Sequence, residues 1–243
     1  MAEANARRER GTATGQSARE VHRAEAALPA VLVALTAVTG MVDAVSYLGL
    51  GHIFTANMTG NVVLLGFALA GAGQVSIPAS LLAIAAFLAG AAGAGRLGRH
   101  MQARRHRWIG SALGAEALLV VSAAFVALDV RRGTAYPVVV LLALAMGVRN
   151  ATTRRLAIPD LTTTVLTLTL TGLAADTQNA GGESWLTVGR RVAAVAAMLL
   201  GAAVGALLLR ASLALPLFVV AVVLAGPIVY YSTRPAEAAP AQP

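Results

Sequence analysis

The chain has 243 residues, of which 57% are hydrophobic and only 12% charged, with a mean hydropathy of +0.71. Soluble domains carry about 25% charged residues, so this composition excludes an ordinary water-soluble domain and predicts a membrane protein with room for roughly eight spans of ~20 residues. The net charge of +8 is carried by arginine alone, with no lysine; these arginines fall in loops and at span ends, which points to membrane topology and the lipid bilayer rather than to nucleic acid.

Taken in chain order, residues 1–27 read as a polar N-terminal tail, in which Arg7, Arg8, Arg10, Arg19 and Arg23 interleave with glutamates. It is too long and too acidic for the charged region of a signal peptide. Apolar segments follow at roughly 28–50, 53–73, 78–96, 109–128, 135–151, 160–176, 190–210 and 212–232. The sixth is short and threonine-rich; its period-two alternation would suit a strand in water, but an open strand leaves its backbone unsatisfied in lipid, so a helix is expected. Residues 233–243 are Pro/Ala-rich and read as a disordered tail. Arginines divide almost evenly between the two sides, and setting aside Arg149, Arg154 and Arg155 as candidate site residues leans the N-terminus to the inside.

The stretch Gly40–Gly66 carries Asp43, His52, Asn57, Thr59 and Asn61 inside a span-length apolar run. Polar groups at membrane depth are costly and line cavities or helix seams rather than face lipid. Gly147–Asp176 reads as a degenerate copy: Gly40-x-x-Asp43-Ala44 lies over Gly147-x-x-Asn150-Ala151, Thr55 and Thr59 lie over Thr163 and Thr167, and Ala85–Ala92 lies over Ala196–Ala203. The expected fold is therefore an all-α membrane protein, with about eight transmembrane helices in two repeats, 28–128 and 135–232. Four spans per unit would make the repeats parallel, related by an axis along the membrane normal.

Each polar motif admits a chemical and a structural reading. Asp43 is either a proton- or cation-coupling site or a partner for a helix cap or Arg149; a lone buried carboxylate cannot stay ionised. Glu116, in the middle of the fourth segment, is the other proton-coupling candidate, with an arginine of the 96–107 loop as its alternative partner. Asn57, Thr59 and Asn61 around Gly60 fit a broken helix whose freed backbone coordinates a solute, or plain interhelical hydrogen bonding. Thr163, Thr167 and Thr171 share a helix face, as a polar path or as hydroxyls bonded back to their own carbonyls. Arg149, Arg154 and Arg155, with Asn150 among them, could hold an anionic group through guanidinium forks or anchor the end of the fifth span at the interface. Ala86/Gly90/Ala94 and Ala197/Gly201/Gly205 are ladders of small residues that let helices approach closely. The histidines make no metal spacing, no nucleophile–base motif is present, and the absence of cysteine removes thiolate chemistry, so neither a cofactor, a metal nor an enzyme is expected.

The run Gly40-x-x-Asp43-Ala44 followed by Phe54-Thr55-Ala56-Asn57-Met58-Thr59-Gly60-Asn61 resembles the hallmark of the YoaK-like family of uncharacterised bacterial transmembrane proteins. Gly147-x-x-Asn150-Ala151-x-x-Arg154-Arg155 resembles that family's second signature, and the likeness runs from residue 28 to 232. It implies a multi-pass inner-membrane protein with internal duplication and no established activity. Where the family often repeats Thr-Gly-Asn, this chain has Thr167-Leu168-Thr169. The functional expectation is a transporter or permease for a small polar or anionic solute, with its site between the repeats. The alternative is a non-transporting scaffold or lipid-binding partner; self-association fits either reading.

Overall fold

A computed structural model describes residues 30–72, 75–101, 105–130, 135–156, 166–176 and 185–232. These residues form eight helices and no strand: α1 Ala30–Gly49, α2 Met58–Leu69, α3 Ile77–His100, α4 Arg105–Ala127, α5 Tyr136–Leu156, α6 Leu166–Asp176, α7 Trp185–Leu209 and α8 Ala214–Ser232. Five of them (α1, α3, α4, α5 and α7) are long and apolar enough to cross a membrane, and α8 is apolar over Ala214–Val229. Exposed Leu69, Leu88, Leu118, Leu199 and Val222 give the bundle the apolar exterior that lipid requires.

Two of the expected spans are something else. Helix α2 has 12 residues and α6, among the described residues, has 11. At 1.5 Å per residue that is about 18 and 17 Å, short of the ~30 Å hydrocarbon core. The reason lies in how α1 ends. Gly51 (φ 95°) and His52 (φ 61°) turn the backbone left-handed, and the His52 N–H reaches back to the Tyr47 carbonyl at 3.0 Å. The chain then folds down beside α1 instead of running on, so Ile53, Thr55 and Ala56 are buried.

Helix directions follow from one cavity of about 730 Å3, the vestibule. Its wall contains Gly49 at the end of α1, Ser76 at the start of α3, Val130 after α4, Tyr136 at the start of α5, Leu209 at the end of α7 and Leu213 before α8. All these helix ends lie at one face. Helices α1, α4 and α7 therefore run toward the vestibule, and α3, α5 and α8 run away from it. Because both Gly49 and Ser76 are at this face, α2 lies on a segment that enters and leaves on the same side, so the described residues 50–72 are re-entrant and not a span.

This corrects the expectation of parallel halves. With α2 not crossing, three helices cross before α5, and an odd number reverses direction: α5 runs antiparallel to α1. The pairing of segments stands; the expected direction differed because α2 was counted as a crossing.

The closest helix contacts are made by the small-residue ladders, and they come in matched pairs. Helix α1 packs on α7, where a Cβ on Gly40 would collide with the Met198 carbonyl and one on Gly201 with the Ala37 carbonyl. Helix α5 packs on α3, where a Cβ on Gly147 would collide with the Phe87 carbonyl and one on Gly90 with the Leu144 carbonyl. Backbones approach this closely only where both helices offer glycine or alanine. Between these pairs the core is completed by α4 and α5 (Val120, Ala123, Leu142, Met146) and by α8 (Leu217, Val220, Leu224), with Phe125 and Phe218 edge-to-face at 5.4 Å.

Candidate functional site

Asp43 lies six residues before the end of α1, about 9 Å inside the vestibule face at the helical rise. Its side chain is almost fully buried. The carboxylate oxygen Oδ1 accepts the Ala56 N–H at 3.2 Å, and the carboxylate also takes the Asn57 backbone N–H. The re-entrant turn is held from its other side by Asn61, which is fully buried. Asn61 Oδ1 accepts the Phe54 N–H at 2.8 Å, and its Nδ2 donates to the Phe54 carbonyl at 2.5 Å. Two side chains thus supply the partners that lipid cannot, and a backbone turn becomes tolerable at membrane depth. Tyr47 stacks on Phe54 at 4.9 Å and meets His52 edge-on at 5.1 Å, closing the turn's upper end.

Gly60 does not break a helix. It is the third residue of α2, whose N-cap is Asn57, with Oδ1 accepting the Gly60 N–H at 3.1 Å. Glycine is required because a Cβ there would come within 2.8 Å of the Phe54 ring. Asn57 and Thr59 are exposed, so of the Asn57-Met58-Thr59-Gly60-Asn61 run only Asn61 is directed inward.

A second polar cluster lies toward the opposite face. Arg149 of α5 and Glu116 of α4 are both buried within about 1% exposure and form a salt bridge. Glu116 Oε1 accepts from Arg149 Nε at 2.7 Å and also from Nη2. Nη1 donates to the Leu35 carbonyl at 3.0 Å and to Thr39 Oγ1 at 2.9 Å, while the Thr39 hydroxyl donates to Leu35. One guanidinium thereby ties together α1, α4 and α5. Glu116 Oε2 has no partner among the described residues and lies beside a cavity of about 20 Å3 bounded by Leu35, Leu113, Thr152 and Thr153, enough for about one water.

The expected partner of Asp43 was a helix cap or Arg149, and the expected alternative for Glu116 was an arginine of the 96–107 loop. Arg149 instead bonds Glu116, acting on Asp43 only as a neighbouring charge, and Asn150 Nδ2 donates to the Met146 carbonyl at 2.8 Å. Thr167 is exposed, and the Thr171 hydroxyl donates to the Thr167 carbonyl at 2.9 Å. Thr163 lies outside the described residues. Sequence reasoning passed over Thr39 and Leu35, which complete the Arg149 shell; Thr39 shares the Asp43 helix face four residues earlier, the one signal available. No group of three His, Asp or Glu side chains that could hold a metal occurs among the described residues.

Residues 31–230 match the model of the family described as "Protein of unknown function (DUF1275)". The chain is 36% identical over 148 residues to the "UPF0700 transmembrane protein YoaK" of Bacillus subtilis (strain 168), a stretch that takes in 60% of this chain and spans 64% of the relative's length. No solved structure matches. With its apolar helices and a transmembrane relative, this is a multi-pass membrane protein in contact with the lipid bilayer, and it belongs to the DUF1275, YoaK-like family.

Proposed function

We propose that the protein is a transporter or permease for a small polar or anionic solute in the bacterial plasma membrane, built from two inverted halves, 28–128 and 135–232, and that it is not an enzyme. The observation that carries this reading is the re-entrant turn pinned by Asp43 and Asn61 at membrane depth, below a vestibule of about 730 Å3. Irregular backbone is tolerated at that depth where it lines a solute path, and inverted repeats with half-helices recur in secondary transporters. Support for the duplication is the crossed pairing, in which α1 meets α7 through Gly40 and Gly201 just as α5 meets α3 through Gly147 and Gly90. The short helices α2 and α6 occupy corresponding places in the two halves.

The buried clusters contain two carboxyl groups, Asp43 and Glu116, and one guanidinium. Glu116 takes the guanidinium, so Asp43 is left to be balanced by a proton or a cation, and it is the group through which coupling would run. The experiment is a thermal-shift screen of small polar and anionic solutes on purified protein, since a ligand that binds only the folded state raises apparent stability. Uptake of any hit into liposomes is then compared in the native chain and in Asp43→Asn. Loss of pH-driven uptake with folding intact supports the reading; full retention makes Asp43 structural. The second reading, a scaffold or lipid-binding partner, draws on the apolar vestibule wall of Leu48, Leu50, Val139 and Leu213, and a stabilising shift by phospholipid alone would favour it.

A further inference from the structure

The ion pair of Arg149 and Glu116 leaves one oxygen over. Both Nε and Nη2 of Arg149 donate to Glu116 Oε1, and Nη1 is spent on the Leu35 carbonyl and Thr39. The remaining N–H of Nη2 points along the fork edge it shares with Nη1, away from Glu116. Glu116 Oε2 is therefore a fully buried carboxylate oxygen with no partner among the described residues, beside the cavity of about 20 Å3. A buried acceptor left in that condition costs free energy, so it calls for an occupant. Thr152 and Thr153 of α5, both buried, line the same cavity. Their hydroxyl hydrogens are already committed: Thr152 Oγ1 donates to the Val148 carbonyl at 2.8 Å and Thr153 Oγ1 to the Arg149 carbonyl at 3.1 Å. What each hydroxyl has left to offer is lone pairs. The rest of the wall, including Leu32, Leu35 and Leu113, is apolar in its side chains. The cavity is thus enclosed by α1, α4 and α5 alone and presents three side-chain acceptors and no spare donor.

We propose that this cavity is a binding site for one dehydrated sodium ion, with Glu116 Oε2, Thr152 Oγ1 and Thr153 Oγ1 as its oxygen donors. A water molecule has two hydrogens for three acceptors, and its own lone pairs would find no donor; a cation satisfies all three oxygens at once. Hard cations take oxygen ligands, but calcium needs about six to eight of them and magnesium keeps several of its waters, more than a space for about one water can hold. Potassium, the larger monovalent ion, fits that space less well than sodium. Charge agrees with this choice. Arg149 acts on Asp43 as a neighbouring charge and pairs with Glu116, so with both carboxylates ionised the three groups carry one negative charge in excess. One monovalent ion cancels it, whereas a divalent ion would overshoot. The site does not depend on the transport reading, because an ion held there can brace three helices whether or not a solute moves.

The test is the unfolding midpoint of the purified full chain in detergent, titrated with sodium chloride against potassium chloride at constant ionic strength, with equilibrium dialysis of radioactive sodium to count ions. Sodium should raise the midpoint saturably, by about 3–6 °C at tenfold above half-saturation, and about one ion should bind per chain. Thr152→Val and Thr153→Val each remove one donor oxygen and keep the ion pair; each should raise the half-saturating sodium concentration about tenfold or more, whereas Thr153→Ser should stay near the native value. Arg149→Met with Glu116→Leu, which removes the carboxylate without stranding a charge, should abolish the sodium response. Identical sodium and potassium titrations with no ion retained in dialysis would mean that the cavity holds only water, and the proposal falls. A sodium response that survives unchanged in both threonine variants and in the double variant places the ion elsewhere and overturns the assignment equally. No solute enters this assay, so its failure leaves the solute screen for transport standing, and an empty solute screen leaves the sodium result standing.

Discussion

The two buried polar clusters solve the same problem with different means. At the vestibule side, Asp43 and Asn61 satisfy backbone groups of the re-entrant turn, and their partners lie only 13 and 7 residues along the chain. At the opposite side, Arg149 satisfies a charge, and its partners Glu116, Thr39 and Leu35 are 33, 110 and 114 residues away. The first cluster shapes one loop, whereas the second clamps three helices. The contrast teaches that a polar residue in a membrane helix can serve local backbone or distant charge, and that residue type alone does not say which.

The sharpest way to break the comparison is Arg149→Ala. It should cost about 3–5 kcal/mol in detergent thermal unfolding, because Glu116 is left buried and unpaired. The double change Arg149→Met with Glu116→Leu should recover most of that loss, since removing both charges removes the desolvation penalty along with the pair. A double variant no more stable than Arg149→Ala would mean that the bonds to Leu35 and Thr39, not the ion pair, dominate the clamp.

At the turn the expected effects are smaller. Asn61→Ala strips both partners from Phe54 and should cost about 1–3 kcal/mol. Hydrogen exchange should then rise in residues 50–57 while the α4–α5 core stays protected, and a loss of protection spread evenly over both would erase the distinction between local and long-range clusters. Gly40→Val and Gly147→Val sharpen the proposed relation between the halves. Each forces a side chain against a carbonyl of the facing helix and should destabilise by about 1–3 kcal/mol. Similar midpoints are expected for the two, and a large disparity would argue against matched packing. The smallest effect is reserved for the α2 cap: Asn57→Ala should cost about 1 kcal/mol, read as a slight fall in midpoint, because the residue is exposed and only the Gly60 N–H loses its partner.

Much was legible in the residues themselves. Composition required a membrane protein, because so few charges cannot solvate a surface of this size in water. The small-residue ladders around Gly90 and Gly201 announced close helix packing, and the alignment of Gly40 with Gly147 marked positions that do carry equivalent contacts. Asp43 and Asn61 could be singled out because polar groups in an apolar run need partners. Hydropathy could not reveal that α2 stops short and turns back, since its 12 residues are as apolar as those of a span. That single miscount reversed the expected direction of α3, α4 and α5. Partner choice was equally hidden: Arg149 could have met Asp43 or Glu116, and nothing along the chain ranks the two.

The sequence by itself determined the solvent this protein folds in, its helical class, and which residues would need burial with partners, because those follow from hydration cost and backbone hydrogen bonding, residue by residue. Only the tertiary structure decided which carboxylate takes the guanidinium, which face opens, and how the helices are directed, because each depends on where chain segments far apart in sequence come to lie in space.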